Sequence, residues 1–457
     1  MADGWRIGGA IGGNGAAIES SDAQDQAGPN RRLRRSERGR LAILGLPTLG
    51  MALAITMVST YLPVVASQYT TSATVIGVII GGEGVMALWL PMIAGSWSDR
   101  LTTPIGRRIP FIIAGTPIMV IGLLLMGLMG SLVAIALVVG VFFAGYFIAY
   151  EPYRALYPDI FGQEVAGRAQ GNQAVWRGIG TGFALFSGGA LLSVANFAPF
   201  VTAALVLVTA NVAFTFLLLH FGDPPRGERQ LDAEGPREIA RRVRRLVAQH
   251  PALRYYLIAN SLWELAMGAL KTFIVLYVTV GLGFSLAQAS LIIGGVALIV
   301  LAGGLASGKL ADRLGRLRVL RSGLWVYGAA MLVPMVTEFP PILIPAVPVI
   351  AFGGGMIMGL PYAVLMPLMP KGEHGAITGV YSLSRGLGTM LGPILAGVAV
   401  QMLGPALFES TSGYAAMWVV TAGAIFLSLP FMAKLRGETR DRAELRGGKE
   451  AGAGASG

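Results

Sequence analysis

Apolar residues run along most of this chain in stretches long enough to cross a lipid bilayer. A membrane-spanning helix needs about 20 predominantly apolar residues, and the pattern predicts twelve such spans. Their approximate ranges are 42–66, 74–97, 109–130, 132–159, 171–194, 197–220, 254–280, 286–308, 319–337, 341–368, 376–402 and 412–434. The sequence therefore predicts an all-α membrane protein with twelve transmembrane helices.

The composition agrees with a membrane setting. Hydrophobic residues make up 54% of the chain and charged residues only 13%, against about 25% charged residues in soluble domains. The net charge of +11 comes from Lys and Arg between the apolar runs and on the tails, which argues against a nucleic-acid partner. The chain has no cysteine, no P-loop and no histidine cluster. We therefore expect no cofactor, no metal and no enzymatic activity.

Basic loops fall on one side of the predicted bundle, which we call the basic end. They are RRLRRSERGR before the first span, RLTTPIGRR after the second and KLADRLGRLR after the eighth. The positive-inside rule makes this side cytoplasmic, with both termini inside a plasma or inner membrane. We predict disordered tails over 1–40 and 435–457, helical bundles over 41–221 and 254–434, and a linker over 222–253. The linker carries a basic amphipathic helix that either lies on the anionic leaflet or joins the bundles in solvent.

An internal repeat relates the two bundles. EPYRALYP (151–158) matches LPYAVLMP (360–367), and AVWRGIGTG (174–182) resembles SLSRGLGTM (382–390). With the two charged loops, these pairs share nearly one offset, about 209 residues,. The repeat predicts two pseudo-symmetric six-helix bundles. A parallel repeat with the solute near the midplane is typical of transporters that rock between two states.

The loop after the eighth span carries the motif G-x-x-x-D-R-x-G-R, and the loop after the second span carries it with four more residues between D-R and G-R. Over residues 41–434 the chain resembles the major facilitator superfamily. The first loop, with SDR followed by GRRIPF, and PYRALYPD (152–159) resemble the narrower group of sucrose–proton symporters and their glycoside-transporting relatives. One position departs from that group. Its helix-4 acidic residue would fall near Phe143, so the usual proton carrier is absent from its expected place.

The resemblance implies a cytoplasmic gate built from the two charged loops. Asp99 would dock at the start of the eleventh span and Asp312 at the start of the fifth, where unpaired backbone N–H groups leave a partial positive charge. These contacts would break in every transport cycle. The alternative is that the loops only follow the positive-inside rule, which explains the arginines but not the aspartates or glycines. The residues assigned to this gate are Asp99, Arg100, Gly106, Arg107, Arg108, Asp159, Asp312, Arg313, Gly315 and Arg316.

Seven ionisable side chains fall inside the predicted spans, where they are costly and usually face a cavity. At 1.5 Å per helical residue, five of them lie about 8–15 Å from the basic end and two about 20–25 Å from it. The shallower five are Glu151, Arg154, Arg177, Glu264 and Arg385, and the deeper two are Glu83 and Lys271. Charges at a common depth on four helices predict a wet, protonatable cavity between the bundles.

Roles follow from the chemistry of these side chains. Glu151 and Arg154 are three residues apart and can pair, either as a proton carrier with its partner or as a static ion pair. Glu264 has no opposite charge within four residues, and Lys271 is the next along the helix. Trp263 and Trp176 either stack on a sugar ring or pack in the core. We assign proton coupling to Glu151, Glu264 and Glu83, and substrate binding to Arg154, Trp263, Lys271, Arg177, Arg385 and Trp176.

The sequence thus predicts a secondary active transporter that moves a small polar solute, a sugar or glycoside, coupled to protons by alternating access. The alternative on the same fold is a proton-driven exporter of drugs or amphipathic compounds. A membrane chaperone or a carrier of pigment or lipid would need no proton site. The expected partners are the solute, protons and membrane lipids, with the monomer as the functional unit.

Overall fold

The structure is a computed structural model and describes residues 35–161, 166–221, 236–369 and 374–453 of the chain. Residues 1–34 and 222–235, which include most of the predicted N-terminal tail and the first part of the predicted linker, lie outside the described residues. The first half contains six long helices in an up-and-down order. They are α1 (Arg35–Ala66), α2 (Ala73–Arg100), α3 (Ile109–Met126), α4 (Leu132–Phe161), α5 (Ala166–Val194) and α6 (Ala198–Phe221).

The second half follows a short connecting helix and repeats the same order. The connecting helix is α7 (Pro236–Gln249). The six long helices of the second half are α8 (Pro251–Leu276), α9 (Leu286–Leu314), α10 (Arg316–Met331), α11 (Pro340–Gly359), α12 (His374–Leu407) and α13 (Met417–Ala453). A π-helical turn (Tyr277–Gly281) extends α8, and short helices (Val333–Val336 and Pro361–Leu365) extend α10 and α11.

Eleven helices in the described part of the chain are long and apolar enough to cross a membrane. The exception among the twelve predicted spans is α5, which is 29 residues long but carries Arg177, seven glycines, two serines and one threonine. Since α5 packs between α1 and α9, much of its surface meets protein instead of lipid. A helix in that position tolerates small and polar residues.

Helix ends differ from the prediction at three places. The predicted span 341–368 is interrupted after Gly359, because Pro361 begins a new helix and has no N–H to continue the old one. The tight connection near residue 130 is a turn that starts at Gly127, the C-cap of α3. Helix α13 continues to Ala453, through most of the region predicted as a disordered tail.

Each half has its own hydrophobic core. One cluster of buried side chains extends from Leu41 to Leu218, with Val275 and Ile293 added from the other half. The other extends from Ala252 to Leu435, with three residues from the end of α1 and the start of α2. The connecting helix α7 belongs to the second half, since Val243 and Val247 pack against its core. The apolar stripe of α7 therefore contacts protein.

The halves meet along two seams, α2 with α12 and α5 with α9, which the internal repeat relates to each other. At the first seam Gly397 faces the backbone of Ala73, and at the second Gly189 faces the backbone of Leu286. Gly189 and Gly397 occupy corresponding positions of the repeat. The absence of a side chain lets the two backbones approach closely at both seams.

The seams are closed at the end opposite the basic end, which we call the far end. There Tyr61 shares a 2.9 Å hydrogen bond with Ser290 of the other half, and Ser72 donates to Gln401 at 2.7 Å. Near the basic end, a side chain built at Gly95, Gly308 or Gly379 would meet no described neighbour within 4 Å. The described halves therefore touch at the far end and diverge toward the basic end.

Candidate functional site

The five shallower charged residues of the predicted spans are called the band below. Four of them form ion pairs, and each pair lies within one half of the protein. Arg385 donates from Nε to Oε1 of Glu264 at 2.8 Å, which joins α12 to α8. Nη1 of Arg154 lies 3.5 Å from Oε1 of Glu151 on the same face of α4. The sequence placed all four at one depth but did not identify Arg385 as the partner of Glu264, because the two lie 121 positions apart.

The deeper pair connects the two halves. Nζ of Lys271 on α8 lies 3.6 Å from Oε2 of Glu83 on α2. Ser59 of α1 donates to the same carboxylate oxygen at 3.3 Å. Both charges lie on the far-end side of the shallower pairs, where the halves are in contact. This is the one ion pair between halves among the described residues, and it forms the floor of the space that separates them.

A tyrosine completes the band in the first half. Nη2 of Arg177 on α5 donates to the hydroxyl of Tyr150 at 2.7 Å, and the Arg154 guanidinium lies 5.7 Å from the centroid of the same ring. The Tyr150 ring also stacks on Tyr146 at 4.9 Å. Sequence reasoning missed Tyr150, although it directly precedes Glu151 in the repeat and tyrosine hydroxyls commonly bond to buried charges.

These side chains line a space that solvent reaches from the basic end. The Arg385 side chain keeps 45% of its surface exposed although it lies well inside α12, and that of Arg154 keeps 34%. The two arginines belong to different halves and lie close enough for their charges to interact. The charged residues of the band therefore line the space between the two halves, with residues from each half on opposite sides of it.

The two tryptophans assigned to substrate binding lie elsewhere. Trp263 is 2% exposed in the second core, where it donates to Ser428 at 2.9 Å and meets Tyr256 edge to face. Its ring faces are covered, so stacking on a sugar is not available in this conformation. Trp176 is half-buried and lies directly over Gly45 of α1, which makes it a helix-packing residue here.

The first charged loop forms a compact network at the basic end. Arg107 donates to Asp159 from Nη2 at 2.7 Å, and Arg108 donates to the same carboxylate from Nε at 3.1 Å. Arg108 also pairs with Asp99 at 2.7 Å and donates to Ser98. The hydrogen bond from Arg107 to Asp159 raises the pKa of Arg107, so this guanidinium stays charged. The network ties the loop to the end of α4.

The second charged loop is open by comparison. Asp312 is exposed and has no ion pair in the described ranges, and Arg316 donates to the carbonyl of Ala363 at 3.1 Å. Gly106 (φ 94°) and Gly315 (φ 90°) take the left-handed backbone that favours glycine,, which explains why both copies of the motif carry one. The remaining gate residues, Arg100 and Arg313, are exposed.

The helix starts that the resemblance assigns to Asp99 and Asp312 adjoin residues 162–165 and 370–373, which lie outside the described residues. The ion pair of Asp99 within the described residues is with Arg108 of its own loop. The docking of the two aspartates at these helix starts therefore stays a prediction.

Two related helical halves around a charged central space define a multi-pass membrane protein built as a transporter. The family model described as the Major Facilitator Superfamily matches residues 44–393 and, in a second match, residues 265–456. The chain therefore belongs to the major facilitator superfamily. No curated protein matches the chain in sequence.

Solved structures of transporters share this fold. A bacterial homolog of the human lysosomal transporter Spinster, inward-facing and unoccupied, matches at a TM-score of 0.72 with 16% identity over 88% of this chain and 98% of that chain. The nucleoside transporter NupG matches at 0.66 with 16% identity over 86% and 98%. A bacterial homologue of the iron transporter ferroportin, inward-facing, matches at 0.65 with 15% identity over 87% and 98%.

At these identities the likeness concerns the fold alone, and the named substrates belong to those proteins. The matches are not specific to the sucrose–proton symporter group, so that narrower resemblance stays a prediction. The chain is thus a major facilitator transporter of small solutes whose substrate and coupling ion have to be argued from its own residues.

Proposed function

We propose that this protein is a secondary active transporter that couples proton movement to the transport of a small polar solute, with sugars and glycosides as the substrate class. The basic end lies in the cytoplasm, both termini are inside, and the monomer is the working unit. The observation that carries the proposal is the band of charged and tyrosine side chains that both halves present to one space open at the basic end.

Glu264 is the first candidate for proton coupling. Its carboxylate faces the Arg385 guanidinium at 2.8 Å, with Tyr256 and Tyr381 as the other titratable groups near it. Protonation of Glu264 would remove the negative charge that holds Arg385 and free the guanidinium to bind solute oxygens. Proton binding and solute binding then become linked through one side chain.

Glu151 has an equivalent role in the first half. It faces Arg154 on its own helix and lies near Tyr150 and Tyr146. The pair is longer than that of Glu264 and Arg385, and its side chains are partly exposed. Water reaches this carboxylate from the basic end, which suits a proton carrier on the cytoplasmic path.

The chemistry of the wall favours a polar solute. Guanidinium, carboxylate and phenol groups supply donors and acceptors for several hydroxyls, and tyrosine rings offer apolar faces for a sugar. The alternative, an exporter of drugs or amphipathic compounds, would be expected to line this space mainly with aromatic and methionine side chains. The band contains two ion pairs, Glu264 with Arg385 and Glu151 with Arg154, and a hydrogen bond from Arg177 to Tyr150. These polar groups favour a polar solute.

Uptake into proteoliposomes tests the proposal. Purified protein is reconstituted, and accumulation of a panel of labelled sugars and glycosides is measured with and without an inward proton gradient. We expect at least one sugar to accumulate only with the gradient, and Glu264→Gln to abolish accumulation while counterflow persists. Glu409→Gln, an exposed acid outside the band, serves as the matched control. Absence of any sugar uptake or exchange, together with efflux of dyes from cells, would favour the exporter.

A further inference from the structure

The charge count of the band is unequal. Its three arginines, Arg154, Arg177 and Arg385, face only two carboxylates, those of Glu151 and Glu264. Arg177 is bound to the neutral hydroxyl of Tyr150, and no carboxylate of the described residues pairs with it. The deeper Glu83 and Lys271 neutralise each other. The space therefore carries one excess positive charge, which solvent reaches in this state and which would become unfavourable if closure of the basic end excluded water from it.

The donors of two arginines are only partly used. Arg385 bonds to Glu264 through Nε, which leaves both terminal nitrogens without a partner among the described residues. Arg177 bonds to Tyr150 through one N–H of Nη2, which leaves Nε, Nη1 and the second N–H of Nη2 without a partner among the described residues. The planar guanidinium group binds carboxylate and phosphate oxygens through pairs of parallel N–H donors. Each arginine thus retains one pair of neighbouring N–H donors of the kind that an anionic group requires.

The same two arginines are related by the internal repeat. Arg177 lies in AVWRGIGTG on α5, and Arg385 lies at the corresponding position of SLSRGLGTM on α12. These helices form the two seams, α5 with α9 and α12 with α2. One arginine of each half therefore approaches the other when the basic end closes, and like charges oppose that movement. An anion bound between the two arginines would offset this electrostatic repulsion.

We propose that this site takes a solute with one anionic group, a carboxylate or a phosphate, bound between Arg177 and Arg385. Within the substrate class of the proposed function, on which this inference rests, the solute is an acidic sugar and not a neutral one. The anion neutralises the excess charge and permits closure of the basic end. Empty carrier, with its two facing guanidinium groups, closes less readily.

Binding to the purified protein in nanodiscs tests this inference independently of transport. The probes are glucose, glucuronate and glucose 6-phosphate, together with benzoate as an anion without a sugar. We expect glucuronate or glucose 6-phosphate to bind about tenfold or more tightly than glucose, the usual gain from charged hydrogen bonds. Arg177→Gln should reduce this preference to about twofold, because it removes one of the two guanidinium groups between which the anion is held,.

Two variants control for charge and folding. Arg177→Lys keeps the charge but not the paired donors and should retain part of the preference. Arg318→Gln removes an arginine at the basic end, outside the band, and should leave binding unchanged. Each variant is compared by size-exclusion profile and melting temperature before binding is measured, so that a folding defect is recognised.

The outcomes separate this inference from the proposed function. Proton-driven uptake of neutral sugar, with no preference for the anion, would overturn the inference and leave the proposed function standing. Binding of benzoate that is lost in Arg177→Gln, without binding of any sugar, would support the anion site and contradict the sugar assignment. The inference is wrong if no anion binds more tightly than glucose, or if Arg177→Gln keeps the full preference.

Discussion

Lys271 and Glu83 form an ion pair between the two halves of the protein, with Nζ of the lysine 3.6 Å from Oε2 of the glutamate. In the described parts of the chain it lies between the open cavity and the closed far end. Any movement that opens the far end must separate these two charges. The pair therefore contributes to the preference for the state seen here, and its strength sets part of the energy of the transport cycle.

Glu83→Gln is expected to shift the protein toward the state that is open at the far end. A partly buried pair of this kind contributes about 1–2 kcal/mol, between the values for exposed and buried ion pairs, or about a tenfold change in population. The chain has no cysteine, so spin labels at Val194→Cys and Leu407→Cys report the far-end distance directly. We expect a larger long-distance fraction in the variant.

The swapped variant, Glu83→Lys with Lys271→Glu, tests the assignment of this effect to the pair. Restoration of the original distance distribution supports a direct interaction. The account of the pair fails if Glu83→Gln and Lys271→Gln both leave the distribution unchanged.

Gly77→Ala should open or destabilise the first seam, whereas Gly82→Ala on the same helix should not. A methyl group at Gly77 would collide with the backbone of Pro393 on α12, while one at Gly82 would meet nothing within 4 Å. Overpacking of this kind costs about 1–3 kcal/mol, and alanine in an open helix position is slightly favourable. The far-end label pair and the melting temperature measure both effects. Equal behaviour of the two variants would show that this seam is not closely packed.

Asp99→Asn is predicted to slow turnover about two- to fivefold with little change in solute affinity. In this state Asp99 contacts Arg108 with its side chain 31% exposed, so its loss costs little. The helix-start contact expected in the other state contributes about 0.3–1 kcal/mol, which the variant would lose. Measurements of solute affinity and of the initial rate of proton-driven uptake distinguish an effect on binding from an effect on turnover. An unchanged rate would remove the gate assignment.

Trp263→Ala should lower stability without changing solute selectivity. The indole is buried and bonded to Ser428, and loss of a buried tryptophan costs about 3–5 kcal/mol. Trp97→Ala, which removes a tryptophan that is 63% exposed, is the control and should change the melting temperature little. A stable Trp263→Ala protein with altered sugar affinity would restore the original assignment of Trp263 to the binding site.

The sequence predicts the depth of a charge better than its partner. Hydrophobic runs fix the position of Glu264 along its helix, and the constant rise per residue converts that position to depth. Its pairing with Arg385 depends on how α8 and α12 are rotated and packed, which a single sequence does not specify. The cross-half pair of Glu83 and Lys271 escaped prediction for the same reason.

The orientation of a side chain about the helix axis also explains why Trp263 lies in the core and not in the binding space. Trp263 is adjacent to Glu264, and adjacency in sequence suggested a shared site. Successive residues of a helix point about 100° apart, so one faces the cavity while its neighbour enters the core. The internal repeat indicates shared structural roles better than adjacency in sequence does. Its offset relates Gly189 to Gly397, and the two glycines lie at corresponding places in the two seams.

The central claim is that the halves rock about the charged space and that proton and solute control which end is open. A second label pair, Thr102→Cys with Leu314→Cys at the basic end, complements the far-end pair, and both distances are measured in lipid nanodiscs at several pH values with and without solute. The account predicts opposite changes, so that the basic-end distance shortens as the far-end distance lengthens, and loss of the pH response in Glu264→Gln. Distances that stay constant at both ends, or that change together, would contradict it.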